Sequence, residues 1–294
     1  MIKACRTLVI LLAFAAFAAA CKKGGPPSVS PVGPSGGDST PVTVDTVHSA
    51  KKGACFSTNT TDGYWSSDIT ELKAQWYYTW GTPLPSFPPT GLEFVPMFWG
   101  AANVDSLNLA TVAQLAASGQ AKYVLGFNEP DQSGQSNMTV DQVLALWPQL
   151  ESLNLPLGSP ATSWPTIQWF TDFMDSVASR NLRVDFICVH MYVGLDDTSF
   201  VQVLQQVYNQ YHLPIWITEF ATADWNAATP ANNPYTPQQV QAFMQRLLPQ
   251  LDSLPFVKRY SWFSGDPSSG PLWSSALVDV QGNLTSLGTW YAGH

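Results

Sequence analysis

Eight short apolar runs rich in β-formers, helix-like segments between most of them, and about 240 residues to hold both predict an α/β chain. The architecture expected is a (β/α)8 TIM-type barrel with some reduced early helices. The first run is "KKGACFS" (51–57), and the second, "KAQWYYTW" (73–80), is separated from the third, "EFVPMFWG" (93–100), only by "GTPLPSFPPTGL". Four prolines leave no room for a helix there, which is why the early helices are expected to be reduced. From the third run onward the alternation is regular. "SLNLATVAQLAAS" leads to "KYVLGFNE" (122–129), and "TVDQVLALWPQLESL" leads to "LPLGSPATS" (155–163). "IQWFTDFMDSVASR" precedes "VDFICVHMY" (184–192), "TSFVQVLQQVYNQY" precedes "LPIWITEF" (213–220), and "TPQQVQAFMQRLLPQLDSL" precedes "KRYSWFSG" (258–265). In these connecting segments apolar residues recur at three- and four-residue spacing, and a Ser or Thr often stands first as a cap. A doubly wound open sheet is the structural alternative, but no Gly-rich phosphate loop follows the first run.

Of the 294 residues, 45% are hydrophobic and only 12% charged, enough apolar material for one sizeable core. The formal net charge is −8, no Lys/Arg cluster offsets it, and a nucleic-acid partner is excluded on that ground. Twelve tryptophans and ten tyrosines suit stacking on sugar rings, and suit an aromatic core equally.

The N-terminus reads as a secretion signal. "MIKACRTLVILLAFAAFAAAC" has a basic start, an apolar stretch, and Ala18-Ala19-Ala20 directly before Cys21, the pattern of a bacterial lipoprotein signal over residues 1–20. Cys21 is the expected lipidation site, which would anchor the chain in the bacterial cell envelope, facing periplasm or exterior. Residues 21–49 are rich in Pro, Gly, Ser and Thr without an apolar period and read as a tether; residues 50–294 form the barrel. Cys55 and Cys188 both lie in strand-like runs and read as buried thiols.

A barrel builds its site at the C-terminal ends of its strands. Two of the eight runs end in a carboxylate: Glu129 closes the fourth in "GFNEP" and Glu219 the seventh in "WITEF". Opposite positions in an eight-membered ring would face the two acids across the mouth. Glycosidic bond cleavage needs such a pair, one to protonate the leaving oxygen and one to attack or to activate water. Either glutamate alone would be read as a helix cap or a surface ion-pair partner. Trp99, His190, Tyr192, Trp225 and Trp262 stand at or beyond other strand ends and are candidate sugar contacts; His190 reads equally well as a core imidazole.

The segments "KKGACFS", "WYYTWG", "FVPMFWG", "VLGFNEPD", "LGSPA", "DFICVHMYVG", "PIWITEFA", "YSWFSG" and "LVDVQGNLTSLGTWY" together resemble glycoside hydrolase family 128, from about residue 51 to the end. The resemblance implies a retaining endo-β-1,3-glucanase with Glu129 as acid/base and Glu219 as nucleophile. It further implies that Asn128 binds the hydroxyl beside the reacting carbon, that His190 and Tyr192 line the site near the nucleophile, and that Trp262 floors the cleavage point. The expected partner is β-1,3-glucan. Another β-glycan hydrolase of the same clan and a non-catalytic glycan-binding surface lipoprotein are the alternatives. No metal or other cofactor is expected, since no two of the four histidines stand at ligand spacing, and a monomer is the default.

Overall fold

The computed structural model describes residues 48–58 and 64–294. The signal segment, Cys21 and the tether up to residue 47 lie outside the described residues, so the expectations placed on them stand as expectations. The chain divides into Met1–Val44 and Asp45–His294, and only the second is described.

Among the described residues six strands pair in parallel in the order β3-β2-β1-β6-β5-β4. They are β1 (Lys52–Cys55), β2 (Trp76–Tyr78), β3 (Glu93–Phe94), β4 (Ile187–Val193), β5 (Ile215–Thr222) and β6 (Val257–Phe263). The two edges, β3 and β4, are joined by residues 121–128 and 157–161 through single parallel bridges. Phe94 meets Ala121, Met97 meets Leu125, Val124 meets Leu157, Asn128 meets Ala161, and Gly158 meets Phe186. The ring therefore has eight members, one for each apolar run. Pro156 and Pro160 carry no amide hydrogen, which thins the pairing of the fifth member to bridges.

At Gly126 the fourth and fifth members approach closely. A Cβ there would lie 2.9 Å from the carbonyl oxygens of both Gly158 and Ser159. These are backbone atoms, so the neighbour cannot swing aside. Gly126→Ala is expected to cost about 1–3 kcal/mol of stability. An unchanged denaturant midpoint would show that the two segments are not held at this spacing.

Among the described residues seven α-helices flank the ring: α1 (Trp65–Glu71), α2 (Ser106–Ala117), α3 (Val140–Glu151), α4 (Gln168–Arg180), α5 (Asp197–Tyr211), α6 (Pro237–Ser253) and α7 (Ser286–Gly293). Asp105, Thr139, Asp196, Thr236 and Thr285 each accept a hydrogen bond from the backbone three residues on, so five of the seven begin at a side-chain cap. The proline-rich 81–92 segment carries no helix. The two helices without a clear signal in the sequence are the short ones, α1 and α7. Among the described residues no helix is long and apolar enough to cross a membrane.

Strand alternation sorts side chains into two buried sets. Inside the ring lie Cys55, Trp76, Tyr78, Leu125, Cys188 and Trp216, and both cysteines are free thiols. Between ring and helices lie Tyr77, Trp147, Phe173, Ile217, Leu247 and Trp262. The placement of Trp262 corrects the expectation that it floors a cleft. It is fully buried, its indole N–H donates to Ser275 O at 2.9 Å, and its ring packs edge-on against Phe220. One residue along a strand reverses the face, so Phe263 takes the inward place.

Candidate active site

Parallel strands put all their C-terminal ends on one side, and a cleft of about 760 Å³ opens there. Glu129 follows the fourth member directly. Its N–H donates to Ala161 O at 2.7 Å, and its φ of +39° is in the left-handed region that a residue with a Cβ adopts only under strain. Such a conformation costs about 1–3 kcal/mol and persists where neighbours over-determine it. Here the flanking bonds do so: Asn128 N–H donates to Trp99 O at 2.9 Å on one side and Met138 N–H to Pro130 O on the other.

Glu219 reaches the cleft by a different device. Counting from Trp216, which faces inward, simple alternation would turn Glu219 outward. Register along β4 and β5 runs Val189 to Ile217 and then His190 to Glu219, so Thr218 is an extra residue on β5. That bulge resets the parity and turns Glu219 in, one of the ways strands re-aim a side chain beside a functional site. His190 and Tyr192 need no such correction, since both share the parity of inward Cys188.

The groups then meet. One carboxylate oxygen each of Glu129 and Glu219 and a ring nitrogen of His190 lie within 4.8 Å of one another. Glu219 Oε1 accepts from Trp80 Nε1 at 2.8 Å and Tyr78 OH at 3.0 Å, and Oε2 accepts from Tyr192 OH at 2.6 Å. Burial first, and the Glu219 charge second, push the Tyr78 and Tyr192 hydroxyls well above the usual phenol range, so both remain donors. Glu129 is held less tightly: its Oε1 bonds His190 Nδ1 at 2.9 Å. Three protein donors thus bond Glu219, and His190 turns its Nδ1 to Glu129.

His190 is fully buried beneath both carboxylates, its Nε2 3.6 Å from Glu219 Oε1. That corrects its expected place on the substrate-lining wall. Burial alone would lower its pKa; the Glu219 charge, then the hydrogen bond and charge of Glu129 and the charge of Asp131, outweigh burial and raise it. A raised imidazole pKa stabilises the fold fully below its unfolded value of about 6.5 and loses that contribution as pH climbs through the folded value above it. The stability gap between wild type and His190→Gln is therefore expected to be larger at pH 6 than at pH 8.5. A gap that grows toward alkaline pH in urea melts would reverse the assignment of charge.

Trp99, Asn128, Tyr192 and Trp225 all line the cleft, as the sequence suggested; Trp80 and Phe263 line it too and were not singled out there. Trp225 is 62% exposed and packs edge-on against Tyr192 at 5.3 Å. Asn128 Nδ2 donates to Gln135 Oε1 at 3.2 Å, while Oδ1 is buried without a partner. Trp80 carried a legible signal, an aromatic just past a strand end in "WYYTWG". Tyr78 carried none, because alternation alone does not distinguish a core tyrosine from one that meets a carboxylate.

Two carboxylates converging at the mouth of a parallel eight-membered barrel are the arrangement of barrel glycosidases. The family model described as glycosyl hydrolase catalytic core matches residues 53–291. A GH128 subgroup I endo-β-1,3-glucanase from Amycolatopsis mediterranei, solved in complex with laminaritriose, superposes with a TM-score of 0.72 at 34% identity, covering 83% of this chain and 98% of that one. A GH128 subgroup II endo-β-1,3-glucanase from Sorangium cellulosum gives 0.67 at 26% identity, covering 82% and 97%. Alkali-sensitive linkage protein 1 of Schizosaccharomyces pombe is 32% identical over 253 residues, which is 83% of this chain but 44% of that protein. The chain belongs to glycoside hydrolase family 128.

Proposed function

We propose that this chain is a retaining endo-β-1,3-glucanase working by double displacement. The observation that carries the mechanism is the separation of the acids, whose nearest oxygens fall within 4.8 Å. Retaining sites hold their carboxyl groups about 5–5.5 Å apart, whereas inverting sites leave about 6.5–9.5 Å for a water. The β-1,3-glucan substrate rests on the similar solved enzymes and on the laminaritriose bound in one of them.

The hydrogen bonds divide the roles. Glu219 has donors on both oxygens, which fix its aim, as a nucleophile requires. Glu129 has one side-chain partner and a more open carboxyl, as an acid/base requires. Glu129 protonates the glycosidic oxygen while a Glu219 oxygen bonds the anomeric carbon and the leaving chain departs. Glu129, now a carboxylate, takes a proton from water, whose oxygen displaces Glu219 and regenerates both groups. Asn128 binds the neighbouring hydroxyl, and Trp99 and Trp225 stack on sugar rings along the cleft.

Products sized after incubation with laminarin, curdlan, barley mixed-linkage glucan, cellulose, xylan and mannan test the reading. Oligosaccharides are expected from β-1,3-glucans alone, with a range of lengths early in the reaction. Release from another glycan keeps the glutamates and replaces the substrate; binding without release makes the chain a glycan-binding lipoprotein. The same proposal holds the protein as a monomer at the bacterial cell envelope by lipid on Cys21. Intact mass with Cys21→Ser as control checks the anchor, and sedimentation checks the monomer.

A further inference from the structure

The cleft wall is charged with one sign. Beyond Glu129 and Glu219, three more carboxylates line it: Asp68 on α1, Asp266 just after β6, and Asp279 in the turn before α7. Among the described residues no Lys or Arg lines it. Most of the described cations stand at the other end of the barrel. Lys51, Lys73, Lys122, Arg183, Lys258 and Arg259 all sit at or just before the starts of ring members, opposite the ends that carry the acids. Arg259 is further sequestered there, stacked on Trp216 at 4.1 Å and paired with Glu93 at 2.8 Å.

The donors that hold Glu219 are neutral hydroxyl and indole groups. The imidazole of His190 is buried against both catalytic acids and does not line the cleft. The outer acids Asp266 and Asp279 are each held by hydrogen bonds from their own turns. Asp279 Oδ1 accepts from the backbone N–H groups of Gln281 and Asn283, and the Asn283 bond foremost holds its pKa below the ordinary carboxylate value. Asp266 Oδ1 accepts from both the N–H and the hydroxyl of Ser268. Each is thus fixed in place with no countercharge on the cleft wall, and a concave apolar wall focuses the field of such groups.

We propose that Asp266 and Asp279 are specificity-determining residues that restrict the cleft to uncharged glucan and turn away carboxylated or sulfated chains. The proposal rests on the glucanase reading above and deepens it. A negatively charged substituent within reach of this wall meets several like charges at once, and a neutral substituent of equal size meets none. The amide of Asn128 and the ring faces of Trp99 and Trp225, which line the cleft, are uncharged, so discrimination by charge falls to the carboxylates.

The test uses the full chain and four laminarins: unmodified, carboxymethylated to a low degree, the methyl ester of that same preparation, and aminoethylated. The readout is kcat/KM for each modified chain relative to unmodified laminarin. At low ionic strength the carboxymethyl form is expected to be cut about 10- to 100-fold less efficiently than its ester, and the amino form at least as well as the ester. The gap should close toward 1 M salt, where the screening length falls to about 3 Å. Asp266→Asn with Asp279→Asn should narrow the ratio of ester to carboxymethyl by about tenfold. Equal cutting of acid and ester, or a gap indifferent to salt and to both substitutions, overturns the proposal. Unmodified laminarin left uncut overturns the glucanase reading instead, so the two failures are told apart.

Discussion

Glu219→Gln is expected to lower laminarin turnover on the order of 10⁴-fold or more while leaving the protein folded and able to bind oligosaccharide. The amide is nearly isosteric but cannot form the glycosyl ester. Its fit beside the three donors follows from their chemistry. The carbonyl oxygen takes the side of Trp80 and Tyr78, because the indole N–H donates only. The amide NH₂ then faces Tyr192, whose hydroxyl rotates from donor to acceptor. Binding measured by calorimetry and a thermal melt accompany the assay. Turnover within about tenfold of wild type would remove Glu219 from the nucleophile's role. Loss of both binding and fold would trace the defect to the donor network instead.

Glu129→Gln is expected to cost about 10²–10⁴-fold on laminarin, with the size set by the leaving group. A natural glucan leaves as an alkoxide equivalent and needs the proton; an aryl glycoside with an acidic phenol does not. On such an aryl laminaribioside the first step should survive and the second should stall, since no carboxylate remains to deprotonate water. A burst of phenol followed by a slow phase, with the glycosyl-enzyme visible by intact mass, is the expected record. A variant equally slow on both substrate types would show that Glu129 only shapes the cleft. The strained backbone at this residue (φ of +39°) bears on the outcome, because the side chain's direction is set by bonds made through Asn128 and Ala161 and not by its own charge.

The eight ring members were legible because each buried strand must carry an apolar run, and most of the helices because their apolar residues recur at helical spacing. Capping residues such as Thr139 and Thr236 marked where helices start. The short helices α1 and α7 left little trace, since seven or eight residues hold too few turns to show a period. The pairing thinness of the fourth and fifth members was written in Gly126, Pro156 and Pro160 but not its consequence, the close backbone approach that sets Glu129 at the mouth.

At the site, the two glutamates were legible as residues and the reason they meet was not. By sequence alone Glu129 and Glu219 end apolar runs, and a barrel brings the ends of the fourth and seventh members to one rim. Alternation, however, would have turned Glu219 away from the cleft, and only the bulge at Thr218 brings it round. The same one-residue arithmetic placed Trp262 in the core and Phe263 in the cleft, against the reading of "YSWFSG". Tyr78, Trp80 and Tyr192 come from different members of the ring, and no local pattern reveals that they converge on one carboxylate. The sequence by itself determined the barrel, its order and its two acids, because these follow from burial and chain direction. Which face each strand residue takes, which donors hold Glu219, and that His190 is buried against both carboxylates were decided only in the tertiary structure, because register slips by single residues and strand parity reverses with each slip.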